Sequence, residues 1–385
     1  MGEVSAAPTE NAGVPRSEAA RRLAAARRRL FLASTAAGLA APWLLWASGL
    51  SDAAWRAIAG LPLGHWPDLA LYVEFVLGLL ALLGLPFGWY GGYRLAHQFR
   101  LSRQTPRAWF TDWLKAALLG LVLGGLATVA LYATVALAGP TWWVLFAGLA
   151  SLAMIVLTFV APYLLVPIFY RMQPLEDETT VRAVQQLAAA AGARVRNVST
   201  LDFSRKTVEA NAAVIGFGRS RHVVLADTLL SDFTLPEIRS VVAHELGHHV
   251  HRDVFRLLVI QCGLIWVGLA VAMAEGQPLL ALIGARGGLP EPANLPLLLV
   301  GAEFLGLATM PLGNALSRRL EAAADTFALD LTDDPGAFAS SMRKLAGQNL
   351  AEASPPRWAE LVLHSHPSIE RRIRSAEARR RGRAA

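Results

Sequence analysis

Residues 241–252 have the sequence VVAHELGHHVHR. His244 and His248 are four positions apart, so on a helix their side chains lie on one face, one turn apart. Two imidazoles at this spacing can bind one zinc ion, and Glu245 beside them can reach a zinc-bound water as a general base. The stretch therefore predicts a hydrolytic metal site carried on a helix. The alternative is a solvated, histidine-rich helical turn.

A catalytic zinc site needs a third protein ligand and one open position for water. In metzincins that ligand is a histidine six residues after the second one, and this position is Val254 here, which excludes the class. In gluzincins the ligand is a glutamate from a later helix, and residues 317–325, SRRLEAAAD, supply one. Glu321 can bind the metal, while Asp325, one turn later, holds a histidine through its other ring nitrogen. The alternative is a solvated acidic stripe paired with neighbouring arginines.

Two further histidines follow the motif closely. His251 is three residues after His248 and so lies near the ligand face, but a fourth protein ligand would block the position of the catalytic water. His249 points elsewhere on the helix. We therefore predict one Zn²⁺ per chain, bound by His244, His248 and Glu321.

The combination of motifs resembles a known family. HELGHH at 244–249, SRRLEAAADTFAL at 317–329 and HSHPSIERRI at 364–373 are together similar to the integral-membrane gluzincin metalloproteases of the CAAX prenyl endopeptidase type. The HtpX-type proteases are nearer cousins with a smaller membrane part. RLSRQTPRAWFTDWLK at 100–115 and PIFYRMQPL at 167–175 also resemble the family, and we expect them only to seat loops at the membrane surface.

The resemblance implies roles for residues outside the zinc motif. His366 would donate a hydrogen bond to the tetrahedral oxyanion, and Arg372 would pair with a carboxylate near the site. Asn211 and Ala212 match the family's Asn-Ala on the strand beside the cleft, where an edge strand can pair with an extended substrate. The alternatives are a helix cap for His366, a surface charge for Arg372 and a turn position for Asn211. The resemblance also implies that the membrane helices enclose a hydrated chamber.

The composition is that of a membrane protein, with 54% hydrophobic and only 17% charged residues. Apolar runs that are long enough, or nearly so, to cross a bilayer occupy residues 30–50, 68–93, 113–138, 142–169, 254–275 and 295–313. This predicts six spans, whereas the family commonly has seven. The single cysteine, Cys262, excludes an internal disulfide.

The net charge of +7 reflects membrane topology better than nucleic-acid binding, because the arginines flank apolar runs. They precede the first run, follow the second and end the chain, and all of these segments fall on one side of the bilayer. Both termini and the catalytic site are therefore expected in the cytoplasm. The Ala/Arg-rich composition points to a bacterial cytoplasmic membrane.

We predict a mainly α, polytopic membrane protein with about six transmembrane helices and a split α+β gluzincin domain containing a small sheet. Its short strands are expected near residues 195–202, 210–216 and 222–225, and one uninterrupted helix is expected from residue 237 into the fifth span. The predicted parts are a disordered basic tail (1–29), four transmembrane helices (30–169), the first part of the protease domain (170–253), transmembrane helices five and six (254–313) and the second part of the protease domain with a basic tail (314–385).

The predicted function is zinc-dependent cleavage of peptide or membrane-protein substrates in the bilayer, in quality control or in CAAX-like processing. Two alternatives remain at this point. One is an intramembrane-cleaving metalloprotease, which takes an Asp ligand from within a membrane segment. The other is a non-catalytic channel or receptor with a zinc site, for which Glu303 inside the last apolar run is the supporting feature. The sequence makes no prediction of oligomeric state.

Overall fold

The computed structural model describes residues 16–216 and 221–384. Within these ranges the α-helices are, in chain order, α1 (Arg16–Ala47), α2 (Leu50–Ala59), α3 (His65–Gly88), α4 (Ala96–Gln98), α5 (Pro106–Ala138), α6 (Trp142–Leu164), α7 (Val166–Phe169), α8 (Glu178–Ala190), α9 (Asp227–Asp232), α10 (Leu235–Val250), α11 (Asp253–Leu282), α12 (Leu295–Thr332), α13 (Pro335–Gln348), α14 (Arg357–Leu363) and α15 (Ile369–Ala384). The strands are β1 (Met172–Pro174), β2 (Val195–Leu201), β3 (Ala212–Ile215) and β4 (Arg221–Ala226).

The membrane part consists of long apolar helices. In the described residues, five helical segments are long and apolar enough to cross a bilayer: Ser17–Ala47, His65–Gln98, Pro106–Phe169, Asp253–Leu282 and Pro292–Thr332. The 64-residue segment contains both α5 and α6, so the apolar helices are α1, α3, α5, α6, α11 and α12. They contact one another in ring order, α12 to α1, α3, α5, α6 and α11. The prediction of about six membrane helices joined to a domain with a small sheet is confirmed.

The prediction of a disordered tail is wrong for residues 16–29, which form the first half of α1; residues 1–15 lie outside the described residues. Alanine and arginine favour helix, so the apolar span extends outward without a break. Leu23 anchors this extension, because its side chain is buried against Leu95 and Leu101. The 32 residues of α1 measure about 48 Å, which exceeds the roughly 30 Å of a hydrocarbon core.

A small mixed sheet begins the protease domain. Its strand order is β1-β2-β4-β3, with β2 and β4 parallel and the outer pairs antiparallel. Three of these strands lie where the sequence predicts them. β1 is an addition, because it is only three residues long and is defined by its distant partner, with Met172 opposite Leu201. Gly218, in the predicted turn before β4, lies outside the described residues.

The two parts of the protease domain share one hydrophobic core. Val184 of α8, Leu225 of β4 and Leu246 of α10 come from the first part, and Leu329 of α12 and Phe338 of α13 come from the second. All five side chains are buried. The chain between the two parts passes through the membrane as α11 and the first half of α12. A pair of membrane helices is therefore inserted in the sequence of the catalytic domain.

The expected uninterrupted helix from residue 237 into the fifth span is wrong. α10 ends at Val250, Arg252 adopts a left-handed conformation with φ 57°, and α11 starts at Asp253. The continuous link between the site and the membrane is instead α12, whose 38 residues span about 57 Å and carry both Glu303 and Glu321.

Candidate active site

α10 begins with a strong N-terminal cap. The Thr234 side chain accepts from the backbone three residues later, and the Thr234 backbone N–H donates to Glu237 Oε2 at 2.8 Å. A proline near the start of the helix has no N–H to leave unpaired. Glu237 is also bound by Lys344 Nζ at 2.7 Å and by Ser340 Oγ at 2.6 Å, which ties α10 to α13. The helix that carries the histidines is thus fixed at its start.

Gly247 lets α10 approach α12 closely. A Cβ at this position would lie only 3.2 Å from Ala324 Cα and 3.2 Å from the Phe327 ring. Such distances are tighter than ordinary contacts, so a side chain at residue 247 would push the helices apart. The close approach brings the motif on α10 to the carboxylates on α12.

His244, His248 and Glu321 form one cluster, and their ligand atoms all lie within 4.8 Å of one another. The two Nε2 atoms are 3.2 Å apart. His244 Nε2 lies 3.2 Å from Glu321 Oε2, and His248 Nε2 lies 3.4 Å from Glu321 Oε1. The structure therefore brings together the three side chains that the sequence predicts as metal ligands.

Each imidazole is held from behind by a carboxylate. His244 Nδ1 lies 2.9 Å from Asp325 Oδ1, and His248 Nδ1 lies 2.9 Å from Asp253 Oδ2. A carboxylate only accepts hydrogen bonds, so each Nδ1 carries the proton and each Nε2 directs its lone pair toward Glu321. Three electron-rich groups thus converge on one point.

This arrangement fits a bound metal ion. A tetrahedral zinc ion about 2 Å from two imidazole nitrogens separates them by about 3.3 Å, close to the distance found here. Glu321 Oε2 is buried and receives no hydrogen bond, as expected of an atom whose partner is a cation. Burial lowers the pKa of His244, but the neighbouring carboxylates of Asp325 and Glu321 outweigh it and raise the pKa to about 9. The site favours positive charge.

Glu245 points into a cleft beside the cluster. The cleft has a volume of about 670 Å³, and His244, Glu245 and Arg372 line it together with residues of the edge strand. Burial raises the pKa of Glu245 above its usual range, against the opposing effect of His244 and His248. A carboxylate with a raised pKa next to a cluster of candidate metal ligands is suited to accept and return a proton.

His366 and Arg372 reach the cluster from the C-terminal part of the chain. His366 Nε2 lies 3.1 Å from Glu321 Oε1, and the His366 side chain is 58% exposed toward the cleft, which it also lines. Arg372 donates to both oxygens of Asp325, at 2.8 and 2.6 Å. Arg372 thereby orients the carboxylate that orients His244.

Asn211 and Ala212 lie on the cleft side of the sheet. The backbone N–H of Ala226 donates to the carbonyl oxygen of Asn211 at 2.9 Å, so Asn211 directs its backbone groups toward β4. Because successive residues of a strand alternate, the N–H and C=O groups of Ala212 face away from β4. β3 is an edge strand in the described sheet, which leaves Ala212 able to pair with another chain. Asn211 Oδ1 accepts from the Ala212 N–H at 2.9 Å.

The two remaining histidines of the motif stay outside the cluster. His249 Nε2 lies 2.8 Å from the carbonyl oxygen of Val214, which joins α10 to β3. The ring of His251 packs edge-on against Phe327, with 5.5 Å between ring centroids. Neither geometry directs a nitrogen toward Glu321.

Sequence reasoning missed two features of the site. Asp253 escaped notice because a continuous helix places it about 140° around from His248; only the break at Arg252 turns it back. Arg27 and Arg28 line the cleft from α1, and the disordered-tail prediction had removed them from consideration. An acidic residue soon after the motif and a basic run continuous with a span were the available signals.

Two family models match adjacent parts of the chain. The model of peptidase family M48 matches residues 174–380. The model described as "CAAX prenyl protease N-terminal, five membrane helices" matches residues 15–171. The matches meet at β1, where the membrane helices give way to the protease domain.

Two relatives match over most of the chain. The chain is 30% identical over 308 residues to the uncharacterized metalloprotease YhfN of Bacillus subtilis, covering 79% of this chain and 72% of that protein. It is 25% identical to a CAAX prenyl protease 1 homolog of Oryza sativa, over 79% of this chain and 73% of that protein.

The fold itself is found in a solved structure. The crystal structure of S. mikatae Ste24p superposes with a TM-score of 0.84 at 18% sequence identity, covering 96% of this chain and 91% of that one. The likeness extends over both the membrane helices and the protease domain. The chain belongs to peptidase family M48, as an integral-membrane metalloendopeptidase with the N-terminal helical domain of the CAAX prenyl proteases.

Proposed function

We propose that this protein is a zinc-dependent membrane endopeptidase in which His244, His248 and Glu321 bind the metal and Glu245 is the general base. One observation carries the proposal. Two imidazole Nε2 atoms, 3.2 Å apart, face the same carboxylate while each ring is held from behind by another carboxylate. Family membership supports zinc as the metal.

The chemistry follows from the positions of the side chains. Zinc bound by these three side chains would supply Lewis acidity to the scissile carbonyl and to the attacking water. Glu245 accepts the proton of that water and delivers it to the leaving amine. His366, exposed in the cleft and close to Glu321, donates to the charge that develops on the carbonyl oxygen. Arg372 and Asp325 keep His244 in the tautomer that binds metal.

The substrate is an extended peptide that pairs with the edge of β3 at Ala212. Ala212 offers backbone groups to it, and Asn211 can turn its side-chain amide from its own backbone toward the substrate. We expect the scissile bond between the edge strand and the proposed metal site, since Ala212 and His244 line the same cleft.

The biological substrate is a peptide or membrane protein presented at the bilayer. The relatives named CAAX prenyl proteases make CAAX-like peptides one candidate substrate, and membrane-protein quality control is the role that we favour for a bacterial protein. The distribution of arginines favours a cytoplasmic location for both termini and the site.

Glu303, the feature that supports a channel or receptor, lies apart from the proposed metal site. It lies 18 residues before Glu321 on α12, hence about 27 Å from the metal cluster. Its carboxylate faces α1 near Gly38, where a Cβ would lie 4.0 Å from Glu303 Oε1. Glu321 lies beyond the apolar part of α12, unlike the ligand of an intramembrane-cleaving enzyme.

Metal removal and replacement test the proposal. In purified protein, we expect about one zinc per chain, loss of reporter cleavage on chelation and recovery when zinc is added. Glu321→Gln should lose the zinc. The matched control is His251→Ala, which removes a histidine of the same helix that faces Phe327, and it should retain the metal. Retention of zinc by Glu321→Gln, or its loss in His251→Ala, would refute the ligand set.

A further inference from the structure

The extramembrane part of α1 forms one wall of the active-site cleft. Ala24, Arg27, Arg28 and Phe31 line the same 670 Å³ cavity as Glu245. The wall is held in place because Leu23, one turn before Arg27 on α1, is buried against Leu95 and Leu101. These apolar contacts fix the arginines relative to the site.

The two arginines of this wall differ in their surroundings. Arg28 Nη1 donates to Glu352 Oε2 at 2.6 Å, and the side chains are only 19% and 8% exposed. Arg27 is 53% exposed, and its ion pair with Glu209 spans 3.8 Å between side chains that are both open to solvent. An exposed pair of this kind contributes little, so Arg27 can exchange Glu209 for another carboxylate at small cost.

The Arg27–Glu209 pair lies beside the start of the edge strand. Glu209 is two residues before Asn211, and this segment is rigidly held. Thr228 Oγ1 donates to Glu209 O at 2.7 Å, and Asn349 Oδ1 accepts from the Ala210 N–H at 3.0 Å. A peptide paired along β3 therefore passes within reach of the Arg27 guanidinium as it leaves the strand.

Of the three arginines that line the cleft, Arg27 has the most exposed ion pair and the longest distance to its nearest carboxylate, that of Glu209. Among the described charged residues that line the cleft, Arg28 is matched by Glu352, and Arg372 by Asp325 behind it. Glu245 sits at the metal cluster. An anionic group of a substrate thus finds its complement at Arg27, whose planar fork can bind a carboxylate through two donors.

We propose that Arg27 is a substrate-binding residue that selects peptides carrying a carboxylate near the end that leaves β3 at Glu209. The inference rests on the proposed peptidase function. The carboxylate is either the C-terminus of the peptide or an Asp or Glu side chain, since both have the same chemistry.

Three reporter peptides of one sequence separate these sources. The first has a free C-terminal carboxylate, the second a C-terminal amide, and the third an amide with one Asp near that end. Cleavage is measured on the full-length zinc protein in non-ionic detergent. We expect wild type to have a lower KM for a carboxylate peptide than for the neutral amide, and the preferred peptide, the first or the third, identifies the source.

Two variants with opposite expected effects on KM test the assignment. Arg27→Ala should raise KM for the preferred carboxylate peptide about threefold to tenfold. It should leave kcat, and the KM for the amide peptide, unchanged. Glu209→Gln should lower that KM, because it removes the carboxylate that competes for Arg27. The matched control is Arg29→Ala, an exposed arginine on the same helix that is absent from the cleft lining.

The contrary outcomes are distinct. Equal KM values for carboxylate and amide peptides in wild type and Arg27→Ala would overturn the inference while leaving the peptidase function intact. The cleavage measurement is repeated in vesicles that contain anionic lipid. If Arg27→Ala and Arg29→Ala lose the same activity there and none in detergent, both arginines bind the bilayer, which also overturns the inference. A zinc-loaded wild type that cuts none of the peptides would instead refute the proposed function.

Discussion

His248 Nδ1 lies 2.9 Å from Oδ2 of Asp253, a residue five positions later that belongs to a different helix. The contact exists because Arg252, between α10 and α11, adopts a left-handed conformation with φ 57°. The chain changes direction there, and α11 starts at the next residue. The Asp253 side chain is only 3% exposed. A break between two helices thus supplies the carboxylate that orients one of the proposed metal ligands.

Removing this carboxylate should weaken metal binding. Zinc affinity is expected to fall about tenfold to a hundredfold in Asp253→Ala, because His248 loses the partner that fixes its tautomer. The zinc affinity of Asp253→Asn should lie between those of Asp253→Ala and wild type, since the amide oxygen can still accept a hydrogen bond from His248 Nδ1. Competition with a chromophoric chelator measures the affinity directly.

Arg256→Ala is the control for Asp253. Arg256 donates to Asp253 Oδ1 at 3.2 Å from an exposed position, so its removal should change zinc affinity far less. An Asp253→Ala protein that holds zinc as tightly as wild type would show that the contact has no part in metal binding.

Gly247 should be intolerant of larger side chains. In Gly247→Val the new atoms meet Ala324 and Phe327, so α10 and α12 must separate. We expect a loss of stability of about 1–3 kcal/mol, seen as a lower melting temperature, together with weaker zinc binding. Gly263→Val in α11 is the matched control, because a Cβ there meets nothing within 4 Å. Equal behaviour of the two variants would contradict the close approach of the helices.

Glu237 should make the protein sensitive to acid. Burial raises the pKa of this carboxyl, but hydrogen bonds from Lys344, Ser340 and Thr234 outweigh it and lower the pKa from 4.5 to about 2. A carboxyl with a lowered pKa stabilises the fold fully above pH 4.5, and this stabilisation is lost as the pH falls toward 2. Its contribution at neutral pH is at most about 3 kcal/mol.

Melting temperatures measured between pH 7 and pH 3 test whether this stabilisation is lost as the pH falls. Glu237→Gln should melt lower than wild type at pH 7, and the difference should shrink as the pH falls. Glu178→Gln, which removes an exposed carboxylate at the start of α8, should follow the wild-type curve. A difference between Glu237→Gln and wild type that stays constant with pH would contradict the assignment.

The site was largely predictable because its information is local. The spacing of His244 and His248 needs only helix periodicity, and Glu321 with Asp325 repeats the same spacing on a second helix. What sequence cannot convey is the distance between those helices. That distance depends on Gly247 packing against Ala324, a contact between residues far apart in the chain.

The errors have physical causes of the same kind. Arginine rarely adopts a left-handed conformation, so nothing at Arg252 signals the end of a helix. The first half of α1 looks disordered by composition, yet burial of Leu23 against Leu95 holds it in place. In both cases a tertiary contact decides a local conformation that the local sequence leaves open.

The central claim is that Glu245 moves the proton while His244, His248 and Glu321 hold the metal. The most direct test is zinc content together with reporter cleavage for wild type and Glu245→Gln, in the same detergent preparation. We expect about one zinc per chain in both proteins, with cleavage reduced at least about a hundredfold in the variant. Cleavage by Glu245→Gln at the wild-type rate, or loss of its zinc, would contradict the claim.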